Sequence, residues 1–228
     1  MQEVEKNIPL GERAYYVIKA MIIRAELAPG QSVPESVLAK QLGISRSPVK
    51  AALTRLQEDG LLTGEAWKVP SVVPLDLKYV DNVYQVRKAL ETQCALQAID
   101  TIPSSKVEEF AAMLDKAGID LKDGDVTQVR DTYEFIQKVL REYCDNALLR
   151  VMLGKLQDHL ARVRYASRSN DDEEFLKREY WMMREELDAL RARDGVRLAA
   201  ALNNQHEQFR RWILDHWNAI TNPTTEAA

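Results

Sequence analysis

The chain has 228 residues, 46% hydrophobic and 29% charged, with a formal net charge of −4. That is enough for a real core in one large domain or two small ones, without the strongly basic balance of a dedicated nucleic-acid binder. No run approaches the roughly 20 apolar residues a membrane span needs, and the first apolar run is broken by Glu12, Arg13, Lys19 and Arg24, so neither a span nor a signal peptide is read and a cytoplasmic location is predicted.

Charge is uneven along the chain. Residues 1–75 hold 9 Lys and Arg against 8 Asp and Glu, and the remainder 22 against 27, which hints at two modules. The two cysteines, Cys94 and Cys144, sit in amphipathic helical patterns and read as buried thiols rather than a disulfide.

Tyr15, Ile18 and Ile22 form the stripe of a first helix that ends before the APG at 28–30. A second helix starts behind Pro34 and stops at Gly43. A third is capped by Ser45, runs to about Asp59 and ends at Gly60. The segment LLTGEAWKVPSVVPL breaks the helical period and reads as a short two-stranded ribbon. Three helices and a ribbon in this order make a winged helix-turn-helix over residues 1–75. The best domain boundary is Pro74 to Asp76. Beyond it an all-helical domain extends to 221, with helices near 76–100, 104–118, 125–143, 146–167, 172–193 and 195–219, and a frayed tail at 222–228. The fold class expected is mostly α.

A helix that reads DNA has one face anchored to its own domain and the other in the major groove. In residues 45–59, Val49, Ala52, Leu53 and Leu56 supply the inner face, while Ser45, Arg46, Ser47 and Lys50 cluster at the N-terminal turn, where the helix dipole also favours phosphate. Arg46 suits bidentate binding of guanine, and Lys50 suits phosphate. The plainer alternative is a set of solvated surface charges.

The run LAPGQSVPESVLAKQLGISRSPVKAALTRLQEDGLL, with LGERAYYVIKAMIIRAELAPG before it, resembles the DNA-binding domain of the GntR family of bacterial transcription regulators. The resemblance covers nearly the whole first domain. It implies operator contacts from Ser36, Arg46, Ser47, Lys50 and Arg55 and from the wing tip. Two departures stand out. Lys50–Ala51 replaces a common Arg–Glu, and the tip reads WKVP at 67–70, where Lys68 keeps a charge and Trp67 is open to packing or to lying along the DNA backbone.

The second domain resembles the FCD-type effector domain of the FadR-like branch of that family. YVDNVYQVRKALETQCALQAI is similar to its opening helix, with Arg87 and Glu91 at its R..LE pattern, and IQKVLREYCDNALL and LDALRARDGVRLAAALNNQ match two later stretches. In that family an Asp and three His commonly hold a divalent metal that helps bind a small carboxylate. Here the matching positions are Tyr133, Gln137, Met183 and Gln205, poor ligands for a hard cation. Of the remaining histidines, His206 and His216 stand about 15 Å apart on one predicted helix and cannot share an ion. The reading is that the family-type metal, and with it any cofactor, is lost.

Arg87, Tyr133, Gln137, Met183 and Gln205 are then candidates for a hydrogen-bonding effector pocket. Arg87 is placed to hold a carboxylate or phosphate, or simply to pair with Glu91 one turn on. The alternative for the others is satisfied core residues, and His159, on the face of Met152 and Leu156, reads as structural. No nucleophile–base pair, no paired carboxylates in an apolar setting and no phosphate-cradling glycine loop is seen, so no enzyme is expected.

The function predicted is a bacterial transcription regulator, a repressor, that binds a palindromic operator as a homodimer. A small organic acid or similar metabolite would tune operator affinity without a metal. The alternative keeps the DNA binding but gives the helical domain only dimerisation or a protein partner.

Overall fold

The computed structural model describes residues 8–65, 68–166 and 173–221. The fold is mostly helical and divides into two compact units. One groups the chain up to Tyr79 with Gln157–Ala166; the other holds Val80–Leu156 and the chain from 167 onward.

In the first unit, α1 (Leu10–Ile23), α2 (Glu35–Leu42) and α3 (Arg46–Glu58) precede a ribbon of β1 (Leu62–Thr63) and β2 (Ser71–Val72). The strands pair antiparallel, Leu62 opposite Val72 and Thr63 opposite Ser71, and Ser32 adds a bridge to Ser71. Pro34 stands just before α2, where its missing N–H costs nothing. Gly43 at φ +66° and Gly60 at φ +74° close α2 and α3 in the left-handed region that side chains resist. Tyr15, Ile18, Ile22, Val49, Leu53, Leu56 and Leu62 fuse into one core, so the predicted inner faces of the first and third helices pack as expected. Ser45 takes the extended N-cap conformation of α3, but its hydroxyl caps no backbone N–H, against expectation.

The second unit is built from α4 (Leu77–Ala98) from Val80 onward, α5 (Ser104–Asp120), a 3-10 turn at Leu121–Asp123, α6 (Thr127–Glu142), the first part of α7 (Ala147–Ala166), α8 (Glu173–Ala192) and α9 (Gly195–Thr221). All six predicted helices appear within a few residues of their expected ends. Helices α5, α6, α8 and α9 supply most of its core, including Phe110, Leu114, Ile136, Leu140, Met183, Leu187 and Leu202. Cys94 and Cys144 are buried free thiols there, and burial pushes the Cys94 thiol up to about 12, so it stays protonated and inert.

The last part of α7, read from sequence as part of the helical domain, groups instead with the first unit. Lys19 pairs with Asp158 at 3.0 Å, and Arg162 donates to the Val73 carbonyl at 2.6 Å. Trp67 and the tail at 222–228 lie outside the described residues. Among the described residues no helix is long and apolar enough to cross a membrane.

Candidate functional site

Helix α3 presents two faces. Val49, Ala52, Leu53 and Leu56 are buried, while Ser45, Arg46, Ser47, Lys50, Thr54 and Arg55 are exposed. Burying those four side chains stabilises the helix by roughly 1.5–3 kcal/mol for each large one, which frees the outer face from any packing duty. Ser47, Lys50, Ala51, Thr54, Arg55 and Glu58 line a shallow open groove along that face. Arg46 remains 70% exposed and meets Glu35 at only 3.4 Å, a surface pair of little strength. Lys50 makes no ion pair among the described residues.

The other candidates around this helix are also accessible. Ser36 is exposed at the start of α2. Arg55 sits over the Tyr15 ring, 3.9 Å from its centroid, and the residue remains exposed. Lys68 is exposed at the ribbon tip and bridges Glu65 at 2.7 Å.

The interior of the second unit is polar where four helices meet. From α4, Arg87 places Nε 3.0 Å from Glu91 Oε2. Its Nη2 donates to the Tyr133 hydroxyl, from α6. Its guanidinium lies 5.6, 5.4 and 5.5 Å from the ring centroids of Tyr84, Tyr133 and Phe209. Burial works against the Arg87 charge, but Glu91, Tyr84 and Glu179 together outweigh it and hold the pKa above the ordinary value. Arg87 thus pairs with Glu91 one turn on, as one of its two sequence readings had it.

Around this pair sit groups the sequence reading assigned no role. Helix α8 buries Glu179 and Glu186 on either side of Met183, at spacings of four and three residues, so all three share one face. Burial raises Glu179 to about 7, although Arg87 and Arg130 pull it down. Burial raises Glu186 to about 8, and the Glu91 and Glu179 charges add to the rise. From α9, His206 Nε2 stands 3.4 Å from Glu91 Oε2. It makes no hydrogen bond there, and burial lowers its pKa to about 4, so it is neutral and the contact is no ion pair.

Several of these groups lack partners. Both Glu186 carboxylate oxygens, both amide atoms of Gln205 and the Gln137 nitrogen are buried and unbonded. Single buried carboxylates thus stand in an apolar setting here, seven residues apart on α8, close enough for the Glu179 charge to act on Glu186. The signal was present in the sequence: Phe175, Met182, Met183, Leu187 and Leu190 set an apolar stripe into which Glu179 and Glu186 fall.

At the positions where the resembled domain holds its metal, this chain has a phenol, two amides and a thioether, and Met183 is packed in the hydrophobic core. Among the described residues no three His, Cys, Asp or Glu converge as a metal ion requires. This donor set does not fit that metal.

A buried three-helix core, a ribbon beside it and an exposed cationic turn on its third helix define a winged helix-turn-helix DNA-binding regulator. Comparison with known proteins agrees. The model of the bacterial regulatory proteins of the gntR family matches residues 10–66, and that of the FCD domain matches residues 82–208. The chain belongs to the GntR family, in the branch that carries an FCD domain. It is 24% identical over 203 residues to the HTH-type transcriptional repressor RspR of Escherichia coli K12, covering 88% of this chain and 86% of that one. It is 27% identical over 164 residues to the uncharacterized HTH-type regulator YdhC of Bacillus subtilis, covering 71% and 73%. The solved structure of E. coli McbR/YncC shares the fold, with a TM-score of 0.68 at 20% identity over 92% of this chain and all of that one. The protein is a transcription regulator, not an enzyme.

Proposed function

We propose that this regulator is a repressor that binds a palindromic operator as a homodimer in the cytoplasm, with operator affinity set by a small molecule held in the helical unit and without the metal that the resembled domain commonly holds. The observation that carries the reading is the outer face of α3, where Ser45, Arg46, Ser47 and Lys50 stand exposed at the leading turn of a helix anchored by Val49, Leu53 and Leu56. In the major groove, Arg46 would leave its weak Glu35 contact to take guanine O6 and N7, and Lys50 and the serines would take phosphates. Ser36, Arg55 and Lys68 supply further backbone contacts from α2, the far end of α3 and the ribbon tip. Two-fold symmetry then gives two half-sites about one helical turn, or a multiple of it, apart.

The similarity to RspR, named a repressor, supports the sign of regulation. The unbonded polar groups of Gln137, Glu186 and Gln205 favour a sensing interior over the alternative of a pure dimerisation body, because a sealed core rarely leaves so many unsatisfied. The test is selection of bound duplexes from a random library, followed by sedimentation of the free protein and its DNA complex. A palindromic consensus bound by a species of twice 26.0 kDa supports the reading; an asymmetric site bound by a monomer removes it.

A further inference from the structure

We infer that the interior of the helical unit takes a small organic cation, an amine, with Glu186 as the receiving carboxylate and the Gln137 and Gln205 amides as its hydrogen-bonding partners. The inference rests on the sensing role just proposed and names the ligand's chemistry.

Glu91 ties the surrounding groups together. It is the ion partner of Arg87 at 3.0 Å, stands 3.5 Å from the Tyr133 hydroxyl and 3.4 Å from His206, and is one of the charges acting on Glu186. Arg87 is committed to Glu91 and boxed by three aromatic rings, so it is a poor receptor for an incoming acid. Buried acidic groups outnumber buried cations here: Arg87 is matched by Glu91, Glu179 and Glu186 are left over, and His206 stays neutral.

Glu186 is 1% exposed and neither of its oxygens is bonded. A carboxylate in that position either keeps a proton or acquires a cation. Burial raises its pKa to about 8, which favours the first solution in the free protein. A bound ammonium supplies the second, with three N–H donors to distribute among separate acceptors. A bare metal ion needs donors that converge, which the described residues do not offer. Gln205, 4% exposed, offers both a donor and an acceptor, and Gln137, 6% exposed, a free donor, so the ligand also carries a hydroxyl or carbonyl acceptor or an equivalent polar group.

The experiment uses the full chain in phosphate buffer near pH 8 and matched probes: ethanolamine, n-butylamine and butane-1,4-diamine against butyrate and succinate, with Zn²⁺ as a separate arm in phosphate-free buffer. At saturating concentration at least one amine raises Tm by about 5 °C, and the acids and Zn²⁺ do not. Glu186→Gln folds, as judged by circular dichroism, and loses the shift. Because Glu186 ionises on binding, calorimetry of the parent near pH 7 in buffers of different ionisation enthalpy reads release of about one proton, a check that needs no variant. No shift with any amine, an equal shift in Glu186→Gln, stabilisation by the acids or by Zn²⁺ instead, or binding without proton release overturns the inference. Operator binding is measured in parallel. An amine that binds but leaves operator affinity unchanged supports the site and removes the sensing role, whereas an acid that changes operator affinity removes the site and keeps that role.

Discussion

His159 holds the end of the recognition helix. Its Nε2 lies 2.9 Å from the carbonyl of Asp59, the residue that closes α3, and its Nδ1 lies 2.6 Å from the Tyr79 hydroxyl. A carbonyl only accepts, so Nε2 carries the proton and Nδ1 accepts from Tyr79. Arg162 donates to the same hydroxyl at 3.0 Å. The structural role read for His159 is realised by bonds to the DNA-reading unit rather than by packing on Met152, which is exposed.

His159→Ala leaves the Asp59 carbonyl and the Tyr79 hydroxyl without this partner. The expected cost is about 1–3 kcal/mol to the first unit, read as a lower Tm and faster amide exchange in α3. The wild-type bond is also pH-sensitive. Burial lowers the His159 pKa below its ordinary 6.5, so the unfolded chain takes up a proton first as pH falls. The contribution of His159 is complete above pH 6.5 and declines below it. Equal stability of variant and parent at pH 7.5 would show that the bond holds nothing.

Arg46→Ala should weaken specific operator binding by roughly 5- to 150-fold, about 1–3 kcal/mol, and relax preference at one base position. Lys50→Ala should weaken binding uniformly and lower the salt slope by about 1. Fluorescence anisotropy at several salt concentrations, with wild-type and single-base-substituted operators, separates the two. Unchanged affinity in both variants would remove α3 from the interface.

Arg87→Met leaves Glu91 buried without its ion partner, at an expected cost of about 3–5 kcal/mol. Arg87→Met combined with Glu91→Leu should recover most of that loss, because the pair's desolvation goes with its attraction. A double-mutant thermal-melt cycle reads the coupling; additive losses would mean the two side chains do not act as a unit.

Glu186→Gln should stabilise the helical unit in a pH-dependent way. With a folded pKa of about 8, against 4.5 when unfolded, the native state binds the extra proton between those values. Ionisation therefore penalises folding progressively from pH 4.5 to 8 and constantly above 8. The variant lacks the penalty, so its Tm advantage is near zero at pH 4.5, grows toward pH 8 and then levels off. Calorimetric scans across that range check it, and a flat difference would place Glu186 in solvent contact.

The winged helix-turn-helix was legible residue by residue because its signals are local. Gly43 and Gly60 end helices wherever the rest of the chain lies, and Val49, Leu53 and Leu56 keep one face by periodicity alone. The helix ends of the second unit were read the same way, from breaks such as Pro103 and the KDGD at 122–125. Which polar side chains lie inside was not legible, since an apolar stripe interrupted by Glu179 and Glu186 looks the same on one helix whether those carboxylates meet water or other helices. Packing of α4, α6, α8 and α9 decided that, as it decided that Arg87 meets Glu91 and that His206 stays neutral, and the contacts of Asp158, His159 and Arg162 placed the end of α7 with the DNA-reading unit. Helix-forming tendency is set by neighbours along the chain. Desolvation and partner choice depend on residues far apart in sequence, and these are terms only the folded chain contains.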